Sequence, residues 1–138
     1  MKIVLYLVVL VSLLACAKHP SPKRVTAKLT TGTWLMTEFI DNEVSILDRY
    51  EDVALQFSSE GSVLSTSDSS ATGKWSVSND KNPTILYLTF SNVDSMHVLA
   101  DDWVVYKLTK SECTLKRLQV EEGFNYGASM DRLTLVKK

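Results

Sequence analysis

From Leu29 to its C-terminus the chain consists of short runs of alternating apolar and polar residues, separated by turn-forming residues. No stretch of it sustains a helical period long enough to require a helix, and this pattern restricts the folded part to an all-β class.

The first strand is predicted over Thr33 to Ile40, with Trp34 and Met36 on one face and Leu35, Thr37 and Phe39 on the other. A second, Asp52 to Ser58, points Val53, Leu55 and Phe57 one way and Ala54 and Gln56 the other. Ser58-Ser59-Glu60-Gly61 is a hairpin turn, because glycine at its end readily takes positive φ, and a strand follows over Ser62 to Thr66. After the polar turn Ser67 to Ser70, a fourth strand carries Gly73, Trp75 and Val77 on one face and Lys74 and Ser76 on the other. Thr84 to Phe90 is apolar on both faces, Ile85 and Tyr87 against Leu86, Leu88 and Phe90, which implies a covered or paired outer side. Ser91 to Asp101 is a longer loop, and strands are predicted at Trp103 to Leu108 and Cys113 to Val120. The alternation slips at Lys116-Arg117, where a bulge is expected. Glu121 to Met130 is a glycine-containing loop, and Arg132 to Val136 is the last strand.

Eight short strands joined in order by tight turns are best accommodated by an antiparallel up-and-down barrel, since closure leaves no exposed edge. A β-sandwich is the competing architecture, but its Greek-key crossings need longer connections.

Ahead of the strands, Lys2 is followed by an unbroken apolar run from Ile3 to Ala15. That run is shorter than the roughly 20 residues a helix needs to cross a bilayer, so it fits a cleaved export signal better than a permanent span. Leu13-Leu14-Ala15-Cys16 resembles the lipobox of bacterial lipoproteins. The resemblance implies cleavage before Cys16 and attachment of diacylglycerol to its thiol, with the membrane as a partner through that anchor. Acylation of the new amino group would supply the further chain that stable anchoring needs. Ala17 to Arg24 is rich in proline and cations and reads as an extended tether containing His19, for which no ligand role is expected. The expected organisation is therefore a signal over 1–15, a lipidated cysteine and flexible tether over 16–28, and one domain over 29–138.

Fifteen cations face sixteen acids, and loss of Lys2 with the signal moves the formal net charge from −1 to −2. Apart from the small group beside Cys16 the cations are scattered, so nucleic acid is not an expected partner. With Cys16 consumed by lipid, Cys113 has no disulfide partner and reads as a small buried apolar residue. About 110 residues suffice for a stable single core.

Gly32-Thr33-Trp34 opens the first strand with a Gly-x-Trp, a hallmark of lipocalins. Together with Leu55-Gln56-Phe57-Ser58-Ser59-Glu60-Gly61, Thr72-Gly73-Lys74-Trp75-Ser76-Val77 and Leu133-Thr134-Leu135, it resembles the lipocalin-like domains of Bacteroidetes lipoproteins. This similarity covers nearly all of the chain from Leu29 onward. It implies an eight-stranded barrel closed at one end by an arginine near the last strand, here Arg132, packed over Trp34. Other lipocalin motifs are not evident, and an open cavity does not follow from the resemblance.

Two functional readings stand on these residues. In the first, the barrel binds a small apolar ligand against Trp34, Met36, Phe57, Trp75, Tyr87 and Trp103. In the second, the interior is filled and the barrel binds an envelope protein through its loops, with Phe124 and Tyr126 as contact anchors. An enzyme is not expected. His97 is the single histidine of the domain, no metal-ligand spacing or phosphate loop occurs, and Asp94, His97, Asp101 and Asp102 read as a solvated loop. No metal and no cofactor is expected. The residues after Cys16 lack the acidic pattern that resembles a surface-export signal in Bacteroidetes lipoproteins, which implies an outer-membrane anchor facing the periplasm.

Overall fold

The computed structural model describes residues 19–66, 71–78, 83–91, 94–120 and 126–138. A helix, α1 (Pro22–Leu29), precedes nine strands: β1 (Thr33–Asp41), β2 (Val44–Ser45), β3 (Ala54–Phe57), β4 (Ser62–Thr66), β5 (Ala71–Val77), β6 (Ile85–Phe90), β7 (Asp102–Leu108), β8 (Glu112–Val120) and β9 (Tyr126–Lys137). Every strand pair is antiparallel and, β2 aside, neighbours follow chain order. Pairing of β1 with β9 joins the ends and closes an eight-stranded up-and-down barrel, to which β2 adds a short hairpin arm on β1. The sandwich alternative is thereby excluded.

Turn chemistry explains the register. Gly61 takes φ 86°, and its N–H donates to the Ser58 carbonyl over 3.2 Å, closing the β3–β4 hairpin. Asn42 and Glu43 both have positive φ, the conformation that a two-residue hairpin between β1 and β2 requires.

The inner wall follows from the pairings, because residues directly opposite in a ladder share a face. Trp34 opposes Leu55, Val63 opposes Gly73, Trp75 opposes Leu88, Leu86 opposes Trp103 and Leu115 opposes Leu133. On β1, Phe39 faces inward and not outward as simple alternation predicts. A bulge between Met36 and Glu38 reverses the alternation, so Phe39 turns inward with Trp34 and Met36 and is fully buried. The bulge expected in β8 lies between Lys116 and Leu118.

Each end of the barrel is covered. Val25 and Leu29 of α1 are fully buried in the core. Trp34 Nε1 donates to the Leu29 carbonyl (3.1 Å), and the buried Thr84 hydroxyl donates to the Pro20 carbonyl (2.6 Å). The segment expected to be a tether through residue 28 is thus, from Pro22, a helix seated on the barrel. Its local signals are Ser21 as N-cap, accepting from the Arg24 N–H, and Pro22 in the first turn. Val25 and Leu29, four apart, form its apolar stripe.

At the far end the chain folds inward twice. Ile46 and Tyr50 pack from the β2–β3 connection, with the Tyr50 ring 5.0 Å from that of Phe39. Met96 and Leu99 pack from the β6–β7 connection, and the Tyr50 hydroxyl donates to the Ser95 carbonyl over 2.6 Å. Among the described residues, no helix is long and apolar enough to cross a membrane.

Candidate functional site

Of the six residues expected to line a cavity, Trp34, Met36, Phe57, Trp75 and Trp103 do face inward and are buried. Tyr87 does not. It opposes Ser76 and Asp102 on the outer wall, where it borders a shallow groove with Lys74, Ser76 and Thr89. β6 is apolar on both faces, so its alternation alone leaves the inward phase undecided; pairing with β5 selects Leu86, Leu88 and Phe90.

The inward residues are packed against one another. Trp34, Leu55, Trp103, Leu115, Leu133 and Leu135 have no solvent-accessible surface. A void large enough for water beside any of them would leave accessible area on its wall, so the middle of the barrel is occupied by side chains. Phe57 meets Trp75 edge-on at 5.4 Å and Phe39 meets Trp103 at 6.1 Å, separations at which aromatic pairs add to burial. Both buried indoles among these have carbonyl partners, Trp75 Nε1 at Ser58 (3.0 Å) and Trp103 Nε1 at Leu99 (3.0 Å).

The arginine that closes the barrel is not Arg132. Arg132 opposes Ile40, six residues along β1 from Trp34, or about 20 Å at strand rise. It lies on the outer wall, where Nε pairs with Glu38 at 2.5 Å. Arg117 takes the closing role at the far end. In phase with the inward Cys113 and Leu115 and directly opposite Trp103, it places its guanidinium over the Trp103 ring, 5.2 Å from the centroid. There it meets Asp41 at 3.0 Å, Asp101 at 3.2 Å and Asp131 at 3.8 Å, and donates to the Val98 carbonyl over 3.3 Å. Neither Arg117 Nε nor Asp41 Oδ1 makes an aligned hydrogen bond, so these carboxylate contacts are ion pairs. The sequence signal is strand phase: Cys113, Leu115 and Arg117 alternate onto one face, so the face that buries the first two also carries the arginine inward.

The loop expectations also change. Within the segment expected as the loop Ser91 to Asp101, the described residues Met96 and Leu99 turn into the core rather than outward. Tyr126 belongs to β9, opposite Val120, rather than to a loop. Phe124 lies outside the described residues, as do Cys16 and the apolar run before it. Cys113 is fully buried, and burial, reinforced by the neighbouring Glu112 carboxylate, pushes its thiol up to about 12, so it is an unreactive core residue at neutral pH. His97 is exposed, and among the described residues no three His, Cys, Asp or Glu side chains gather as a metal site.

The class that fold and site define is a closed, eight-stranded antiparallel β-barrel with a packed interior and both ends covered. Compared with protein-family models and with curated proteins, the chain matches none of them.

Proposed function

We propose that this protein is a cell-envelope lipoprotein whose packed, lipocalin-like barrel acts as a rigid protein-interaction module, held at the membrane by lipid on Cys16. The observation that carries the proposal is that Trp34, Leu55, Trp103, Leu115, Leu133 and Leu135, in the middle of the barrel, have no accessible surface. A carrier of apolar ligands needs an interior cleft to surround its cargo. A filled barrel instead offers its rims and outer wall. The exposed apolar side chains Val44 on the β1–β2 arm and Met130 on β9, 62 % and 77 % exposed, stand at the far rim and supply candidate contacts. The apolar run and Leu13-Leu14-Ala15-Cys16 support the anchor. The most consistent location is the outer membrane, with the domain facing the periplasm.

Two measurements test this. Native mass spectrometry of protein purified from membranes should give the mass of the lipidated polypeptide without a bound small molecule; a stoichiometric apolar adduct contradicts the filled-module reading. A photo-crosslinking residue at Val44 or Met130 should trap one defined protein in cells, and the same residue at Leu64 on the barrel wall should not. Equal trapping at all three positions contradicts a rim-directed interaction.

A further inference from the structure

The near-neutral net charge conceals a polarity along the barrel axis. Because strand direction alternates, the α1 end collects the starts of β1, β4, β6 and β8 and the ends of β3, β5, β7 and β9. Among the described residues it carries Lys23, Arg24, Lys28, Lys110, Lys137 and Lys138. The acids described there are Glu60 and Glu112, and Lys107 pairs with Glu112 at 2.9 Å. The far end carries Asp41, Glu43, Asp48, Glu51, Asp52 and Asp101, opposed mainly by Arg49 and Arg117. Lys23 is exposed on the side of α1 turned away from the buried Val25 and Leu29, Arg24 is exposed along its flank with its guanidinium donating to the Leu108 carbonyl at the end of β7 (3.4 Å), and Lys137 reaches back to the Thr31 hydroxyl just beyond α1 (3.0 Å).

A second, independent observation gives this polarity a direction. The chain is fastened to the barrel at Pro20, which is buried and whose carbonyl accepts from Thr84. Only Ala17, Lys18 and His19 separate it from Cys16. Four residue steps span at most about 14 Å, so covalent geometry alone holds the α1 end within that distance of the anchoring cysteine. This is comparable to the Debye length of about 8 Å at physiological salt, over which cations feel a charged surface.

We infer that the α1 end is an electrostatic docking face for anionic lipid headgroups, seating the barrel on the bilayer with its acidic end outward. The inference rests on the lipoprotein reading above. Attraction between cations and anionic lipid fixes the orientation that the short tether permits, and the acidic far end disfavours the inverted one. The Val44 and Met130 rim is then presented away from the membrane.

The test uses the full chain, exported and processed by a diderm host and reconstituted into vesicles. The mass of its N-terminal peptide reports first whether Cys16 carries lipid. With Cys16 occupied and Cys113 buried, an Ala27→Cys variant on α1 and a Ser45→Cys variant on β2 each offer one thiol for a fluorophore. In phosphatidylcholine vesicles containing about 30 % phosphatidylglycerol, a headgroup quencher should act at least about threefold more strongly on the position-27 probe than on the position-45 probe. The difference should shrink in pure phosphatidylcholine, in about 0.5 M sodium chloride, and in a Lys23→Glu, Lys28→Glu variant with an unchanged circular dichroism spectrum. Equal quenching at the two positions, or quenching indifferent to lipid charge and salt, in protein whose mass shows the anchor overturns the inference alone. A mass without lipid overturns the lipoprotein reading and the inference with it.

Discussion

The Arg117 guanidinium lies 5.2 Å above the Trp103 ring and, from that position, holds both the barrel wall and the segment that covers it. Trp103 donates its indole N–H to Leu99, Arg117 donates to Val98, and Asp101 completes the contact. One side chain therefore couples β8, β7 and the covering turn.

Arg117→Ala removes a partly buried charge and its charge-assisted hydrogen bond, and should cost about 2 kcal/mol in urea unfolding. Hydrogen exchange at the Leu99 and Ala100 amides, both bonded to the Met96 carbonyl, should speed up before global unfolding. Arg117→Lys keeps the charge without the planar fork and should recover only part of the loss. Arg132→Ala is the control. Its pair with Glu38 is about two-fifths exposed on both sides, and the change should stay within about 1 kcal/mol. Equal losses at the two arginines would contradict the closing role of Arg117.

Leu29→Ala should cost about 2–5 kcal/mol, because it empties a fully buried position beneath the Trp34 indole. Limited proteolysis should then cut near α1 while the sheet persists. A tether with no packing role would show neither effect.

Gly73 admits no side chain. A Cβ there would lie 2.0 Å from the Thr89 carbonyl oxygen, and Phe90 crosses the same space from the opposing position in β6. Gly73→Ala must push β5 from β6 and should cost about 3 kcal/mol in equilibrium unfolding. Near-neutral behaviour would contradict the β5–β6 register.

Alkaline pH should weaken the fold through two buried groups. Burial holds the Cys113 thiol up at about 12 against an ordinary 9.0, and burial also raises the Tyr50 phenol, with Arg49 opposing and Asp41 reinforcing. In the unfolded chain both release protons at lower pH than in the folded one. The unfolded state then binds fewer protons, so stability is complete below about pH 9 and falls as pH rises from there towards about 12. Thermal melts should show this decline, and Cys113→Ala should flatten it. A rise in stability across that range would contradict the burial of both groups.

Where alternation was strict, strands were legible from the residues alone. β4 has its expected limits, and β7 extends its prediction by one residue. Ser58 to Gly61 behaves as a glycine-ended hairpin should. Three features were not legible, each for its own reason. The β1 bulge hides because Phe39 reads as outward by simple counting. α1 is only eight residues long, and two apolar side chains make a weak period. β9 starts at Tyr126 because it pairs with β8 beyond the bulge, a long-range constraint that glycine-rich local sequence does not reveal. The candidate site divides the same way: five inward aromatic and methionine residues follow from strand phase, whereas Tyr87 and Arg132 required the ladder.

The central claim, a barrel filled by its own side chains, is tested most directly by titrating the folded protein with a fluorescent fatty acid and following energy transfer from Trp34, Trp75 and Trp103. A filled barrel gives no saturable transfer below the concentration at which the probe forms micelles. Saturable one-to-one binding, lost on filling or disrupting the interior near Trp103, would contradict it.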